Sequence, residues 1–194
     1  MNMSPSPTGK FPVVVIGASR GGLDAVRTII EGLPRDCGAA FALVFHVGCG
    51  PNLVPEILNW RGRLLALFGR DGDPFIPERI YVAPSDCHMV LSPPGCIHLD
   101  RGARVHNTRP AVDPLFESAA KLYGERVVGV VLSGRGTDGA AGLHCIKSHG
   151  GLPLVQDPAE APSPQMPAAA KAADEPEVLP LGRLAARVAQ FCLA

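Results

Sequence analysis

Val127-Val128-Gly129-Val130-Val131-Leu132 carries no polar side chain, and Ser133-Gly134-Arg135-Gly136-Thr137-Asp138-Gly139 follows it without a break. A short, unbroken apolar run rich in β-branched residues predicts a strand covered on both faces, as in a parallel sheet. The Gly-rich turn, then Leu143 and Ile146, predicts a helix, so the segment reads as a β-turn-α unit. The same order stands near the N-terminus. There Phe11 to Ile16 leads into Gly17-Ala18-Ser19-Arg20-Gly21-Gly22, then Leu23, Val26, Ile29 and Ile30 at helical spacing. It recurs where Ala40 to Phe45 ends at His46 and an amphipathic stretch covers Leu53 to Leu65.

Between these units, Arg79 to Ala83, Met89 to Leu91 and Cys96 to Leu99 read as short strands, with Pro93-Pro94-Gly95 as a hairpin connection. Asp113 to Tyr123 reads as a helix, Leu152 to Val155 as a strand, and Met166 to Ala173 and Leu181 to Phe191 as further helices. Strands alternating with helices in this way predict an α/β fold: a doubly wound, mostly parallel sheet with helices on both faces. A small antiparallel excursion is expected near residues 79–99. One domain is expected over residues 11–194, after a Ser/Pro-rich flexible tail over residues 1–10.

The 194 residues hold 18 Lys+Arg against 18 Asp+Glu, so no net charge is available to drive sequence-independent nucleic-acid binding. Six cysteines are spread singly with no C-x-x-C pair, which points to a reducing compartment and a cytoplasmic location. No window approaches the roughly 18 apolar residues that a membrane-spanning helix needs, so no membrane insertion is expected.

In an open parallel sheet the ligand crevice lies beyond the carboxyl ends of the strands. The residues there are Ser19, His46, Asp138, Gln156 and Asp157. A serine hydroxyl, an imidazole and a carboxylate on one edge are what nucleophilic acyl chemistry requires. The imidazole takes the hydroxyl proton and the carboxylate fixes the imidazole tautomer. Gly17-Ala18-Ser19-Arg20-Gly21 also fits G-x-S-x-G, and the amides of Arg20 or Gly21 at the helix start are candidate oxyanion donors. The order Ser, His, Asp differs from that of the α/β-hydrolases, which run Ser, acid, His. Blander roles stand beside these: Ser19 as a helix N-cap, His46 as a structural histidine, Asp138 as the cap of its own helix.

The first Gly-rich turn also resembles that of short-chain dehydrogenases. However, the last glycine of the pattern falls at Leu23, and no Tyr-x-x-x-Lys pair is present. His144, Cys145 and His149 lie close in sequence, but their spacing matches no zinc-ligand pattern, so no metal or other cofactor is expected. His88, His98 and His106 read as turn or surface residues. His88 and Asp157 remain as an alternative base and an alternative acid.

Taken together, the segments resemble the chemotaxis-receptor protein-glutamate methylesterases of the CheB type. The matching positions are I-G-A-S-x-G-G at Ile16 to Gly22, the strand end at His46 and Y-V-A-P-x-D-x-H at Tyr81 to His88. They continue with R-P-x-V-D at Arg109 to Asp113, V-V-G-V-V-L-S-G-x-G-x-D-G at Val127 to Gly139, Gln156-Asp157 and Met166-Pro167. The resemblance implies a Ser-His-Asp hydrolase that removes methyl esters from glutamyl side chains of chemoreceptor cytoplasmic helices, with deamidation of glutamines as a second activity. By motif position Ser19 is the nucleophile, His46 the base and Asp138 the orienting acid, with Arg20, Gly21 and Arg135 lining the oxyanion and substrate site.

The chain departs from the family pattern around this triad. The family has Thr after the nucleophile, Gln before and Met-Pro after the histidine, and Met in the Gly-rich turn. Here Arg20, Phe45, Val47-Gly48 and Arg135 stand there. Two arginines beside the site point to altered specificity for acidic substrate. The family also carries an N-terminal receiver domain, whereas about ten residues precede the first strand here. A stand-alone catalytic domain is therefore expected, with a separate receiver protein as a candidate partner. The alternative reading is a catalytically altered or inactive relative that binds a signalling array through the same face.

Overall fold

A computed structural model describes residues 10–34, 36–47, 51–60 and 62–193. The expected tail lies, but for Lys10, outside the described residues, as do Gly48 and Cys49. Three apolar runs form adjacent strands at the centre of one sheet: β1 (Val13–Ala18), β2 (Ala40–Phe45) and β7 (Val127–Val131). Around them stand β3 (Leu65–Phe68), β4 (Arg79–Val82), β8 (Leu152–Gln156) and β9 (Glu177–Leu179), in the order β3-β4-β2-β1-β7-β8-β9. Every pairing in this seven-stranded sheet is parallel.

Because side chains alternate across a strand, each central strand feeds two cores. Val14, Ile16, Phe41 and Leu43 face a cluster with α1 (Leu23–Glu31), α2 (Val54–Asn59) and α6 (Leu181–Cys192). Val13, Val15, Ala42 and Val44 face a second cluster with α3 (Val112–Tyr123), α4 (Ala140–Ser148) and α5 (Gln165–Asp174). Burial on both faces is why these strands read as unbroken apolar runs rather than as an alternation. The doubly wound parallel architecture with helices on both faces is the one expected.

The small antiparallel sheet is narrower than expected. It holds only β5 (His88–Ser92) and β6 (Cys96–Asp100), while Arg79 to Val82 joins the main sheet between β2 and β3. The segment Leu53 to Leu65 is not one helix either: α2 stops at Asn59, and Leu65 begins the edge strand β3. The Asn59 side chain explains the break, since its amide bonds both the N–H and the C=O of Ala66 at 2.8 Å and folds the chain back. The β5–β6 hairpin packs on α3, with Met89, Leu91 and Ile97 in the second core and the Leu91 amide donating to Ser118 Oγ at 3.0 Å. From there the chain returns through residues 101–111 to the start of α3, beside the end of β7.

Candidate active site

The chain leaves β1 toward β2 on one side, while β7 and the strands after it lie on the other. A crevice is expected at such a switch point, beyond the strand ends. Ala18 is in register with Phe45, and the His46 amide donates to Ala18 O at 3.0 Å. On the other side the Ser19 amide donates to Ser133 O at 3.0 Å. Since neighbouring strands lie about 4.8 Å apart, Ser19 leaves the sheet directly between His46 and the Ser133–Gly139 turn.

His46 Nε2 lies 3.0 Å from Asp138 Oδ2. An ionised carboxylate only accepts, so the imidazole carries its proton on Nε2 and keeps a lone pair on Nδ1. Asp138 is 2% exposed and does not cap its own helix, whose N-cap is Gly139. Its carboxylate instead receives the first amides of α3: Val112 N–H to Oδ2 at 2.7 Å and Asp113 N–H to Oδ1 at 3.0 Å. The Thr108 hydroxyl lies 3.5 Å from Oδ2 while donating to Val105 O. Burial acts to raise this carboxyl, but the His46 hydrogen bond and the two helix amides outweigh it and hold it below its ordinary value. The acid is thus kept ionised in a dry setting.

Ser19 is 8% exposed and is not a helix cap, because the N-cap of α1 is Gly22. Among the described residues the Ser19 hydroxyl makes no hydrogen bond, and neither do the amides of Arg20, Gly21 and Arg135. The turn is held from below. Ser133 Oγ donates to Arg20 O at 3.0 Å and accepts the Ser163 amide at 2.9 Å, while Gln156 Oε1 accepts the Ser133 amide at 2.9 Å. The Pro-rich loop after β8 completes the support: Ser163 O accepts the Gly134 amide, and Pro162 packs against Gly21. Gly134 has no room for a side chain, since a Cβ there would stand 2.1 Å from Met166 Sδ and 2.8 Å from Ser19 Cβ. Arg20 and Arg135 are exposed, and their guanidinium groups have no partner among the described residues.

A second acid–imidazole pair adjoins the first. His106 Nε2 lies 2.7 Å from Asp113 Oδ2, and Asp113 Oδ1 accepts the amides of Gly139 at 3.0 Å and Gly142 at 2.7 Å. His106, Asp113 and Asp138 bring ligand-type atoms within 4.8 Å of one another, but the carboxylate oxygens are already engaged by these donors. The sequence singled out Asp113 only as a motif position, and its pairing with Gly139 and Gly142 had no local signal.

The alternatives fare differently. His88 is buried at 3% exposure rather than a surface residue; Nε2 meets Ala103 O at 3.0 Å and Nδ1 accepts the Ala111 amide at 3.2 Å, which leaves no lone pair for a base. Asp157 accepts the amide of Ala159 in its own turn, at the end of β8 and three strands from β2. His98 bonds Asp71 at the hairpin, and His144 bonds Asp174 while His149 folds back onto Cys145 O.

The fold and this edge define a doubly wound α/β domain with a serine, an imidazole and an ionised carboxylate gathered at its switch point. The family described as CheB methylesterase matches residues 14–188, and the chain belongs to that family. A protein-glutamate methylesterase/protein-glutamine glutaminase of Caulobacter vibrioides is 38% identical over 192 residues, 96% of this chain and 55% of the relative. One of Anaeromyxobacter dehalogenans is 42% identical over 159 residues, 80% of this chain and 46% of the relative. The chain therefore spans about half the length of these curated relatives. The crystal structure of the Thermotoga maritima CheB methylesterase catalytic domain superposes with a TM-score of 0.88 at 28% identity, covering 94% of this chain and 100% of that one.

Proposed function

We propose that this chain hydrolyses glutamyl methyl esters on the cytoplasmic helices of chemoreceptors and deamidates glutamine side chains by the same route. The Ser19 hydroxyl attacks the ester carbonyl while His46 Nδ1 takes its proton. The protonated imidazole then returns that proton to the departing methoxide, which leaves as methanol. Water, deprotonated in turn by His46, attacks the acyl-serine and frees the glutamate. Asp138 keeps the imidazole in its Nε2–H form and stabilises the imidazolium. The unengaged amides of Arg20, Gly21 and Arg135 receive the oxyanion, where fixed donors outperform mobile water.

The observation that carries this reading is the 3.0 Å bond from Asp138 to the imidazole that leaves β2 beside Ser19. The names of the relatives support the ester and amide substrates. Among the described residues no helix is long and apolar enough to cross a membrane. Cys37, Cys87, Cys96, Cys145 and Cys192 are free thiols, which supports a place in the cytoplasm. The exposed guanidinium groups of Arg20 and Arg135 suit a substrate segment that carries further carboxylates.

Methanol release from methylated receptor signalling domains tests the reading. Wild-type protein should release methanol and Ser19→Ala should not. Folded wild-type protein that releases none would overturn the reading and favour a binding role on a signalling array.

A further inference from the structure

Asp138 and Asp113 exchange helices. Asp138, in the turn that starts α4, is held by the Val112 and Asp113 amides at the start of α3; Asp113, in the first turn of α3, is held by the Gly139 and Gly142 amides at the start of α4. The first N–H groups of a helix have no partner inside it, so each carboxylate satisfies donors that would otherwise be buried and unpaired. The two helices approach closely enough for this because residue 142 is glycine: a Cβ there would stand 2.5 Å from Phe116 Cβ and 3.1 Å from Asp113 Oδ1.

We propose that Asp113 is a positioning residue of the active site, its carboxylate locking the Gly139–Gly142 turn so that Asp138 stays aimed at His46. The inference rests on the proposed Ser19 hydrolysis for its meaning, but its geometry stands apart from it. Asp138 has the Gly139 amide as its next link in the chain, and that amide is one of the two that Asp113 Oδ1 accepts. Without that acceptor the start of α4 gains freedom, and the direction of the Asp138 carboxylate with it. His106 closes the outer side by bonding Oδ2 at 2.7 Å, which leaves Oδ1 facing the two glycine amides. Among the described residues no hydrogen bond joins Asp113 to Ser19, so Asp113 reaches the reacting atoms through Asp138 and the turn that carries it.

Two readouts on the purified chain test this: the rate of Ser19 labelling by a fluorophosphonate, and the low-field proton resonance of His46 Nε2–H, identified by its loss in His46→Ala. Asp113→Ala should slow labelling about 10- to 100-fold, the scale of a misplacement near 1 Å, and should move or broaden the resonance. Asp113→Ser, whose shorter side chain does not reach Gly142, should behave alike and serves if the alanine variant fails to fold. Asp113→Asn retains an acceptor oxygen for both glycine amides and should recover most of the rate. A folded Asp113→Ala or Asp113→Ser with unchanged rate and resonance overturns the proposal, as does an asparagine variant as slow as alanine. Wild-type protein that is not labelled at all would instead sink the hydrolase reading, and the resonance would still decide the role of Asp113.

Discussion

The molecule contains two His–Asp pairs within one cluster, and they differ in bond length, in the exposure of the imidazole and in the acidity of the carboxyl. His46–Asp138 is the longer bond at 3.0 Å and the more sequestered, with the imidazole 12% exposed; His106–Asp113 is shorter at 2.7 Å, with its imidazole 38% exposed. Each carboxylate takes two amides from the helix of the other. Their acidities nevertheless diverge. Burial raises the Asp113 carboxyl above its ordinary value, with the neighbouring Asp138 charge adding to the rise, whereas His46 and the α3 amides outweigh burial and lower Asp138. Two buried like charges resist simultaneous ionisation, and here the cost falls on Asp113, the acid that does not bond His46. A short bond does not by itself mark a reactive pair. What separates these two is the anchoring of the imidazole: His46 continues β2 beside the serine, while His106 sits in an exposed loop with φ of 50°.

The sharpest break between the pairs should appear in rate. Asp138→Asn should lower methanol release about 10,000-fold, because an amide favours the wrong imidazole tautomer. His106→Gln should cost no more than roughly tenfold, the loss of one outer support for a positioning group. Equal losses in the two variants would erase the distinction.

Crowding the Ser19 side should come next. Gly134→Ala drives a methyl group into Met166 and Ser19. Overpacking of this kind costs about 1–3 kcal/mol, and a thermal scan should show the melting point falling by about 2–12 °C for a chain of this size. Fluorophosphonate labelling of the same variant should fall as well, since the serine is one of the two groups displaced.

The opposite acidities predict opposite pH signatures. Asp138 is lowered in the fold, so its contribution to stability is present above the unfolded value of about 3.9 and is lost as pH falls through the folded value. Asp138→Asn should therefore flatten the acid side of a plot of melting temperature against pH. Asp113 is raised, so its contribution is present below about pH 3.9 and is lost as pH rises through the folded value. Asp113→Asn should make stability rise more steeply with pH just above that point. Slopes that change in the same direction would show that the two acidities do not diverge.

The smallest effects belong to the exposed arginines. Arg20→Thr and Arg135→Met should each raise KM for an acidic receptor substrate several-fold with little change in kcat, and the difference should shrink in high salt, as expected of solvent-screened charges. An unchanged KM and salt dependence would show that these side chains do not select substrate.

The central strands and the residues that end them were legible because burial on both faces leaves a continuous apolar run, and the first polar residue after such a run marks the strand end. Ser19 and His46 are the first polar residues after their runs, and Asp138 stands at the end of the Gly-rich turn that follows the third. Other features had no such signal. Arg79 to Val82 is a four-residue strand whose neighbours are turn residues, and nothing local says whether it pairs with β2 or with the hairpin. Leu65 to Phe68 was hidden because it continues the apolar spacing of α2, and only the bonds from Asn59 to Ala66 separate the two. The Pro-rich loop after β8 carries no local mark of its role, which is to support the Ser19 turn through Pro162 against Gly21 and Ser163 O on the Gly134 amide.

The sequence by itself determined the layered α/β architecture and the three polar residues at its edge, because hydrophobic period and strand ends are properties of neighbouring residues. Only the tertiary structure decided that Asp138 is held by α3 and Asp113 by α4. Those bonds join residues 25 to 29 positions apart through backbone amides, which every residue but proline carries and which therefore leave no mark in the sequence.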